Sequence, residues 1–207
     1  FMLGIPTEKD LDIEGIAELC DRIAAEYFER VPKEKRTNGS VQIVASTSFF
    51  VPKPFTPFQW AAQCTKEEFL DKAHTTKEAI RSRLNQKRIK YNWHEADASV
   101  MEGVFARGDR RVSEVIYRAY KKGCMYDAWS EYYKNDIWLE TFEECGLSPA
   151  FYANRTRDVD ELLPWDFIDC GVTKEFLVRE WEQAKKEIAI GMKTDTVFDE
   201  LCLKIIK

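Results

Sequence analysis

The chain has few histidines and no closely spaced cysteines. Its 207 residues include two histidines and six cysteines, and no two cysteines have C-x-x-C spacing. A zinc site is therefore not expected, because such sites combine clustered cysteine and histidine ligands. We interpret the scattered cysteines as buried or reduced thiols of a cytoplasmic protein; they are Cys20, Cys64, Cys124, Cys145, Cys170 and Cys202.

Long apolar runs, internal repeats and a strong excess of charge are also absent. No apolar run approaches the roughly 20 residues that a membrane span needs, and no signal peptide is visible. The net charge of −5 argues against a chain dominated by nucleic-acid binding, although a local basic patch would still suit phosphate. With 44% hydrophobic residues, the chain can form one large or two small domains with a real core.

The first part of the chain has a strand–helix–strand pattern. The first five residues are typical of the end of a buried strand, and a helix follows Pro6-Thr7, capped by Thr7 or Asp10. Beyond an Asn38-Gly39 turn signal, residues 41–47 predict a second strand. This βαβ spacing predicts a parallel sheet covered on both faces. Two strands cannot form such a sheet, so we interpret residues 1–60 as a piece of a larger α/β domain.

A proline-rich, aromatic segment follows the second strand, over residues 48–60. Its three prolines fix φ and remove backbone donors, so strand pairing must end there and the chain leaves the sheet as a rigid ribbon. This ribbon suits the wall of a flat aromatic ligand. Alternatively, it is a plug that seals the end of the sheet against a neighbouring domain. Its aromatic residues are Phe49, Phe50, Phe55, Phe58 and Trp60.

Residues 61–207 are predicted to form a mainly helical C-terminal domain. Thr65 and Glu68 have the spacing of a capping box, and the helix that they begin carries an apolar face that extends to Leu84. The alternation of residues 89–94 predicts a half-buried strand. Helical periodicity predicts three further helices, over residues 110–122, 130–145 and 173–190.

Three arginines cluster at residues 106–111, where the third-last helix is predicted to begin. The helix macrodipole disfavours positive charge there by roughly 0.3–1 kcal/mol each, so helix stability does not explain them. Free backbone N–H groups at this end, with Asp109, favour a site for a phosphate or carboxylate. The alternative is that Asp109 caps the helix and the arginines pair with Glu102 or Asp97. The three are Arg107, Arg110 and Arg111.

His94 is the candidate for acid–base chemistry. It lies on the polar face of its predicted strand and precedes acidic residues, where a general acid or base is chemically reasonable. The alternative is a structural histidine. Asp127 and Trp129 are candidates to line the same cleft, and their alternative roles are helix capping and core packing.

Several of these segments resemble radical S-adenosylmethionine enzymes. Gly4-Ile-Pro6-Thr7-Glu8 resembles their fifth-strand motif. Residues 51–60 resemble the sixth-strand exit of one branch, an uncharacterised family with a degenerate cobalamin-binding region ahead of its radical domain. Further segments match the C-terminal region of that family in the same order, so the resemblance covers nearly the whole chain. They are Trp93-His94, Ala106–Arg111, Asp127–Trp129 and Leu163–Asp166.

The resemblance implies the last strand–helix units of a partial TIM-like barrel over residues 1–60, followed by a helical domain that closes over substrate. In the family, three cysteines spaced C-x-x-x-C-x-x-C hold a [4Fe–4S] cluster that cleaves S-adenosylmethionine to a 5′-deoxyadenosyl radical. That spacing is absent here. The resemblance therefore implies the C-terminal portion of an Fe–S oxidoreductase-like enzyme, with the missing N-terminal half barrel as its partner. This chain alone is expected to bind neither cluster nor cofactor, and to show little or no turnover.

The resemblance also implies positions for the cofactor. Gly4, Pro6 and Glu8 would lie near S-adenosylmethionine, and the backbone of Phe50, Val51 and Pro52 would lie near its adenine. The rival hypothesis is a non-catalytic module that binds RNA or another phosphate-bearing partner. Its residues would be Arg107, Arg110 and Arg111, with Lys87, Arg88 and Lys90.

Overall fold

A computed structural model of the protein describes residues 1–36 and 41–190. It shows a mixed α/β fold in which a small parallel sheet is followed by a helical region. The elements are β1 (Met2–Leu3), α1 (Asp10–Arg30), β2 (Ile43–Phe49), α2 (Lys66–Arg81), β3 (Ile89–Trp93), α3 (Ala96–Arg107), α4 (Val112–Lys121), α5 (Asn135–Glu144), α6 (Pro149–Ala153) and α7 (Lys174–Ile190). Short 3-10 turns cover Lys33–Lys35, Pro57–Trp60 and Gln86–Arg88.

The sheet is parallel and has the order β1-β2-β3. Met2 pairs with Ser48, and Ile43 pairs with Ile89, with α1 and α2 as the crossover helices. The predicted βαβ unit is confirmed, and a second unit follows it. The predicted domain boundary after residue 60 therefore lies inside a strand–helix alternation that continues to Trp93.

The sheet is stabilised by an apolar core that it shares with α1, α2 and the start of α3. Phe49, the last residue of β2, stacks on Phe69 of α2 with ring centroids 4.4 Å apart. Because the strands are parallel and need helices on their faces, this contact fixes α2 directly against the end of the sheet. The buried members of this core are Leu3, Ile13, Ile16, Phe49, Phe69, Ala73 and Ala96.

Two further cores organise the rest of the described chain. The first lies among α3, α4, α5 and α6, and includes Met101, Val104, Val112, Val115, Ala119, Trp138, Phe142 and Tyr152. The second joins the aromatic segment to the C-terminal part of the protein through Trp60, Leu163, Trp165 and Leu177. Trp60 is completely buried there. This packing agrees with the plug interpretation of residues 48–60.

The helix ends differ from the predictions in two instructive places. The N-cap position of α1 is Lys9, and the Asp12 carboxylate accepts its N–H at 2.8 Å, so neither Thr7 nor Asp10 caps the helix. The capping box of α2 is confirmed, with Glu68 N–H donating to Thr65 Oγ1 at 3.2 Å. However, α2 ends at Arg81, which leaves Leu84 96% exposed rather than on an apolar face.

The sequence did not predict α3 or α6, and the helix expected from residue 130 begins only at Asn135. The predicted Asn38-Gly39 turn and Cys202 lie outside the residues that the structure describes. Within residues 1–36 and 41–190, no helix is both long enough and apolar enough to cross a membrane.

Candidate functional site

The carboxyl ends of the three strands bring seven of the predicted site residues to one edge of the sheet. Residues 4–8 follow β1, residues 50–52 follow β2, and His94 follows β3; we call these segments the carboxyl edge. Backbone pairing continues into them, since Phe50 N–H donates to Leu3 O at 2.8 Å and His94 N–H donates to Thr47 O at 3.2 Å. Open α/β sheets bind ligands outside the carboxyl ends of their strands, so this edge is a candidate site.

The turn after β1 is held by a partly buried ion pair. The Glu8 side chain is 5% exposed, and its two oxygens accept from Gly4 N–H at 2.8 Å and from Lys72 Nζ at 2.6 Å. Burial acts to lower the pKa of Lys72, but the hydrogen bond and charge of Glu8 outweigh it and raise the pKa overall. Because both carboxylate oxygens are engaged, Glu8 shapes the turn and offers little to a ligand.

The thiol beside this turn is not set up as a nucleophile. Cys64 Sγ lies 3.8 Å from Gly4 O, and burial and the nearby Glu68 carboxylate raise the pKa of Cys64. A reactive cysteine needs the opposite shift, because the thiolate is the attacking species. We therefore assign Cys64 a packing role.

The segment after β2 turns most of its side chains into the protein. Pro52 is buried, while Phe50 and Val51 are half-buried. The Phe50 ring meets Phe58 edge-on at 5.4 Å, and Phe58 in turn meets Trp181 of α7 at 5.6 Å. The surface that this segment can offer to a ligand is therefore limited to the exposed parts of Phe50 and Val51.

His94 has an exposed side chain that makes no hydrogen bond or ion pair with the described part of the chain. Catalytic histidines are usually oriented by a carboxylate or carbonyl on their second ring nitrogen. That orienting group is missing among residues 1–36 and 41–190. A catalytic role for His94 stays a prediction.

The predicted arginine site lies at residues 107–111, which we call the arginine turn. Arg107 is fully buried, and its guanidinium donates to Ala153 O at 2.9 Å and Arg155 O at 3.4 Å. It therefore does not reach a ligand at the surface, contrary to the prediction that all three arginines form the site. The predicted pairing with Glu102 or Asp97 is also wrong, since these carboxylates pair with lysines.

The other two arginines of the turn differ sharply in their surroundings. Arg111 binds the Asp109 carboxylate through its side chain at 2.7 Å and its N–H at 2.9 Å, and this contact lowers the pKa of Asp109. The regular part of α4 begins at Val112, but Asp109 accepts Arg111 N–H through its side chain at 2.9 Å and Val112 N–H through its carbonyl at 3.0 Å. These are the hydrogen bonds of a helix cap, so the structure supports the alternative that Asp109 caps the start of this helix. The Arg110 side chain is exposed and makes no hydrogen bond or ion pair within the described residues.

Sequence reasoning missed a second buried arginine behind this turn. Arg157 is 4% exposed, donates to Arg107 O at 3.1 Å, and stacks over Trp165 with its guanidinium carbon 5.3 Å from the ring centroid. Burial, followed by the charges of Arg157 and Arg155, lowers the pKa of Arg107 to about 10. The Nε atoms of Arg107 and Arg157 have no partner among the described residues. Nothing local in the sequence around Arg157 signals this role.

A cavity of about 760 Å³ lies beside the arginine turn. Gly108, Asp109 and Arg110 form one side of it, and a loop with Leu162, Leu163, Pro164, Asp166 and Phe167 forms the other. Asp166 N–H donates to Leu163 O at 3.1 Å, which closes a turn in this loop. The sequence did not indicate that this turn borders a cavity.

The carboxyl edge and the arginine turn are separate regions. His94 and the arginine turn lie at opposite ends of α3, which has 12 residues and is therefore about 18 Å long. Trp129 belongs to neither: it is 55% exposed in the loop after α4 and contacts Tyr126 at 6.2 Å. Asp127 accepts from Trp138 Nε1 at 3.3 Å, which supports its structural alternative.

Comparison with known proteins gives one distant relative. Over 147 residues the chain is 26% identical to MJ0966, an uncharacterized protein of Methanocaldococcus jannaschii; the match covers 71% of this chain and 29% of that protein. The chain thus spans less than a third of the relative that it matches. No family model and no solved structure matches the chain.

Proposed function

We propose that this chain is the C-terminal, substrate-facing part of a larger radical S-adenosylmethionine enzyme. The main support for this proposal is the carboxyl edge. There the Gly4–Glu8 turn and the Phe50–Pro52 segment follow neighbouring parallel strands. These are the two segments that resemble the fifth and sixth strands of the family. The match to a much longer protein is compatible with further strands elsewhere in the whole enzyme. A cytoplasmic location belongs to the same proposal, supported by five free cysteines in the described residues.

The residues present do not fit an iron–sulfur cluster. The sequence contains no C-x-x-x-C-x-x-C spacing, and residues 1–36 and 41–190 contain no group of three potential metal ligands. We therefore assign the [4Fe–4S] cluster to the rest of the full-length protein.

The fit to S-adenosylmethionine is limited to one apolar wall. The Glu8 side chain is 5% exposed and pairs with Lys72, and Gly4 is buried against Phe69, so neither presents a polar group at the surface. What remains is the exposed surface of Pro6 with that of Phe50 and Val51, which suits the face of a flat base. When bound at its cluster, the cofactor would supply a radical; this wall would orient its adenine and exclude water.

The outer edge of β1 is where the missing part of the barrel would join. Among the described residues β1 pairs with β2 alone, which leaves its other backbone edge unpaired. Phe1 and Met2 are exposed there and line a cavity of about 230 Å³ together with Ile5 and Ile16. An unpaired strand beside an apolar groove is suited to pairing with a further strand.

Anaerobic reconstitution tests the enzyme proposal. We expect the intact gene product, supplied with iron and sulfide, to bind iron and to release 5′-deoxyadenosine from S-adenosylmethionine under a strong reductant. The 207-residue chain alone should do neither, because it lacks the cluster cysteines. Intact protein that acquires no iron would contradict the proposal.

A second candidate function is a module for RNA or another phosphate-bearing partner, favoured by the free guanidinium of Arg110. Arg107 is buried and Arg111 is paired with Asp109, so Arg110 is the arginine of the turn that can contact a phosphate. Lys87 and Lys90 are also exposed. We expect binding of a single-stranded RNA oligonucleotide to weaken with salt, and Arg110→Ala to reduce the log–log salt slope by about 0.7. Arg118→Ala, on the outer surface of α4, is the matched control. A flat salt response would contradict this function.

A further inference from the structure

We propose that the cavity beside the arginine turn binds a small molecule with a flat apolar body and one anionic group. The inference rests on the arginine turn as an anion site, the second candidate function above. It does not depend on radical chemistry, because the residues that line the cavity include none of the carboxyl edge.

The size and lining of the cavity are those of a small-molecule site. Its volume of about 760 Å³ lies within the roughly 300–1,000 Å³ typical of ligand pockets, which are mainly apolar with a few polar groups. One wall is built from Leu162, Leu163, Pro164 and Phe167. Leu162 and Phe167, which both line the cavity, are 85% and 86% exposed, an unusual state for large apolar side chains. An apolar ligand body would cover them.

The charges around the cavity favour an anion. Arg110 lines the cavity with its guanidinium unpaired in the described chain, whereas Asp109 is already neutralised by Arg111. Asp166 is the other carboxylate of the lining, and its Oδ2 accepts Leu163 N–H at 2.8 Å. Behind the turn, the buried guanidinium groups of Arg107 and Arg157 donate to carbonyl oxygens, and no carboxylate among residues 1–36 and 41–190 forms an ion pair with either. With the Arg155–Glu161 ion pair included, five arginines and three carboxylates lie around the turn and the cavity.

Buried, uncompensated guanidinium groups are costly, because desolvation penalises the charged form. Their field is weakly screened inside the protein and extends to the adjacent cavity. A carboxylate, sulfonate or phosphate on Arg110 would gain a charge-assisted hydrogen bond together with this field. The surplus positive charge therefore favours the binding of an anion in the cavity.

The backbone turn that carries the apolar wall is preorganised. Leu163 and Asp166 close their turn with two hydrogen bonds, and Trp165 between them donates Nε1–H to Gln59 Oε1 at 2.8 Å. The guanidinium group of Arg157 lies over the Trp165 ring. A turn fixed in this way loses little backbone conformational entropy when a ligand binds.

Two dyes that differ in one charged group test the proposal on the 207-residue chain. 1-Anilinonaphthalene-8-sulfonate is a flat apolar anion, and N-phenyl-1-naphthylamine is its uncharged counterpart. We expect a single saturable site for the sulfonate in fluorescence titrations. Arg110→Gln should weaken the sulfonate about tenfold and leave the neutral dye unchanged. Phe167→Ser should weaken both dyes several-fold, because it removes part of the apolar wall.

The controls are variants at exposed positions away from the cavity. Arg118→Gln removes an arginine on the surface of α4, and Leu84→Ser removes an apolar side chain that is 96% exposed. Both should leave the two affinities unchanged, and all four variants should keep the thermal transition of the parent. Sulfonate affinity that Arg110→Gln leaves unchanged would overturn the inference. So would RNA binding that depends on Arg110 but not on Phe167, with no dye site; that result would leave the RNA function intact.

Discussion

Replacing Gly4 with alanine is expected to lower the free energy of unfolding by about 2–5 kcal/mol. Gly4 has φ +84°, a conformation that penalises an L side chain by about 1–2 kcal/mol. In addition, a Cβ at this position would lie 2.6 Å from Phe69 Cε1 and 3.1 Å from Cys64 Sγ. The Phe69 ring is fully buried and stacked on Phe49, so it cannot move aside freely. Overpacking of this kind adds about 1–3 kcal/mol.

Gly146→Ala is the matched control for Gly4→Ala. Gly146 also has a positive φ, +64°, but a Cβ there would meet no atom of the described residues within 4 Å. It therefore isolates the backbone penalty, and we expect a loss of about 1–2 kcal/mol. Equilibrium denaturation with urea measures both variants. Equal losses for the two glycines would contradict the assigned clash with Phe69.

A double-mutant cycle with Phe69→Leu identifies the clashing partner. Leucine lacks the ring carbon that the new Cβ would contact, so Gly4→Ala should lose less stability in the Phe69→Leu background. The coupling should reach at least about 0.5 kcal/mol, since the two residues touch. Additive effects would mean that Cys64 or the backbone alone limits this position. The result also bears on function, because the Gly4 N–H bond to Glu8 sets the shape of the carboxyl edge.

The parallel sheet could be predicted from the sequence because its signals are local. Two short apolar strands at the spacing of a helical crossover allow few arrangements, and the structure confirms the parallel one. Helix α3 was missed for the opposite reason. Gly103, in the interior of this helix, is a weak helix former. It is needed there because a Cβ on this residue would lie only 1.8 Å from Gln63 Oε1. Only the tertiary contact explains that glycine.

The arginine turn shows the same limit. Arg107 lies three residues after Val104 and six after Met101, both buried, so recognition of α3 would have placed it on the inner face of the helix. Its carbonyl acceptors, Ala153 and Arg155, are more than 40 residues away in the sequence. No local pattern encodes such a partner. The cavity depends on a still longer contact, between the turn and the loop that contains Leu163.

Trp60→Ala is the second large effect, with an expected loss of about 3–5 kcal/mol in the free energy of unfolding. The Trp60 side chain has no exposed surface and packs with Leu163, Trp165 and Leu177. Its carbonyl also accepts the N–H of Arg157 at 2.8 Å. Truncation would leave a large cavity where the aromatic segment meets the C-terminal part of the chain. This cavity cannot collapse unless the loop that contains Leu163 moves.

Two substitutions make this prediction specific. Trp129→Ala removes a tryptophan that is 55% exposed, so its loss should be no more than about 1 kcal/mol. Trp60→Phe keeps most of the apolar contact and removes an indole N–H that has no acceptor among the described residues, so it should be much milder than Trp60→Ala. Urea denaturation separates the three. Similar losses for Trp60→Ala and Trp129→Ala would show that Trp60 does not anchor this core.

The same variant connects stability to the proposed cavity. Leu163 contacts the Trp60 core on one side and lines the cavity on the other. Trp60→Ala should therefore weaken the neutral and the anionic dye alike, at temperatures where the protein is still folded, because it loosens the apolar wall without touching Arg110. Arg110→Gln should weaken the anionic dye alone. If Trp60→Ala destabilises the fold but leaves both dye affinities unchanged, the wall is held by the Leu163–Asp166 turn itself, and the aromatic plug serves stability only.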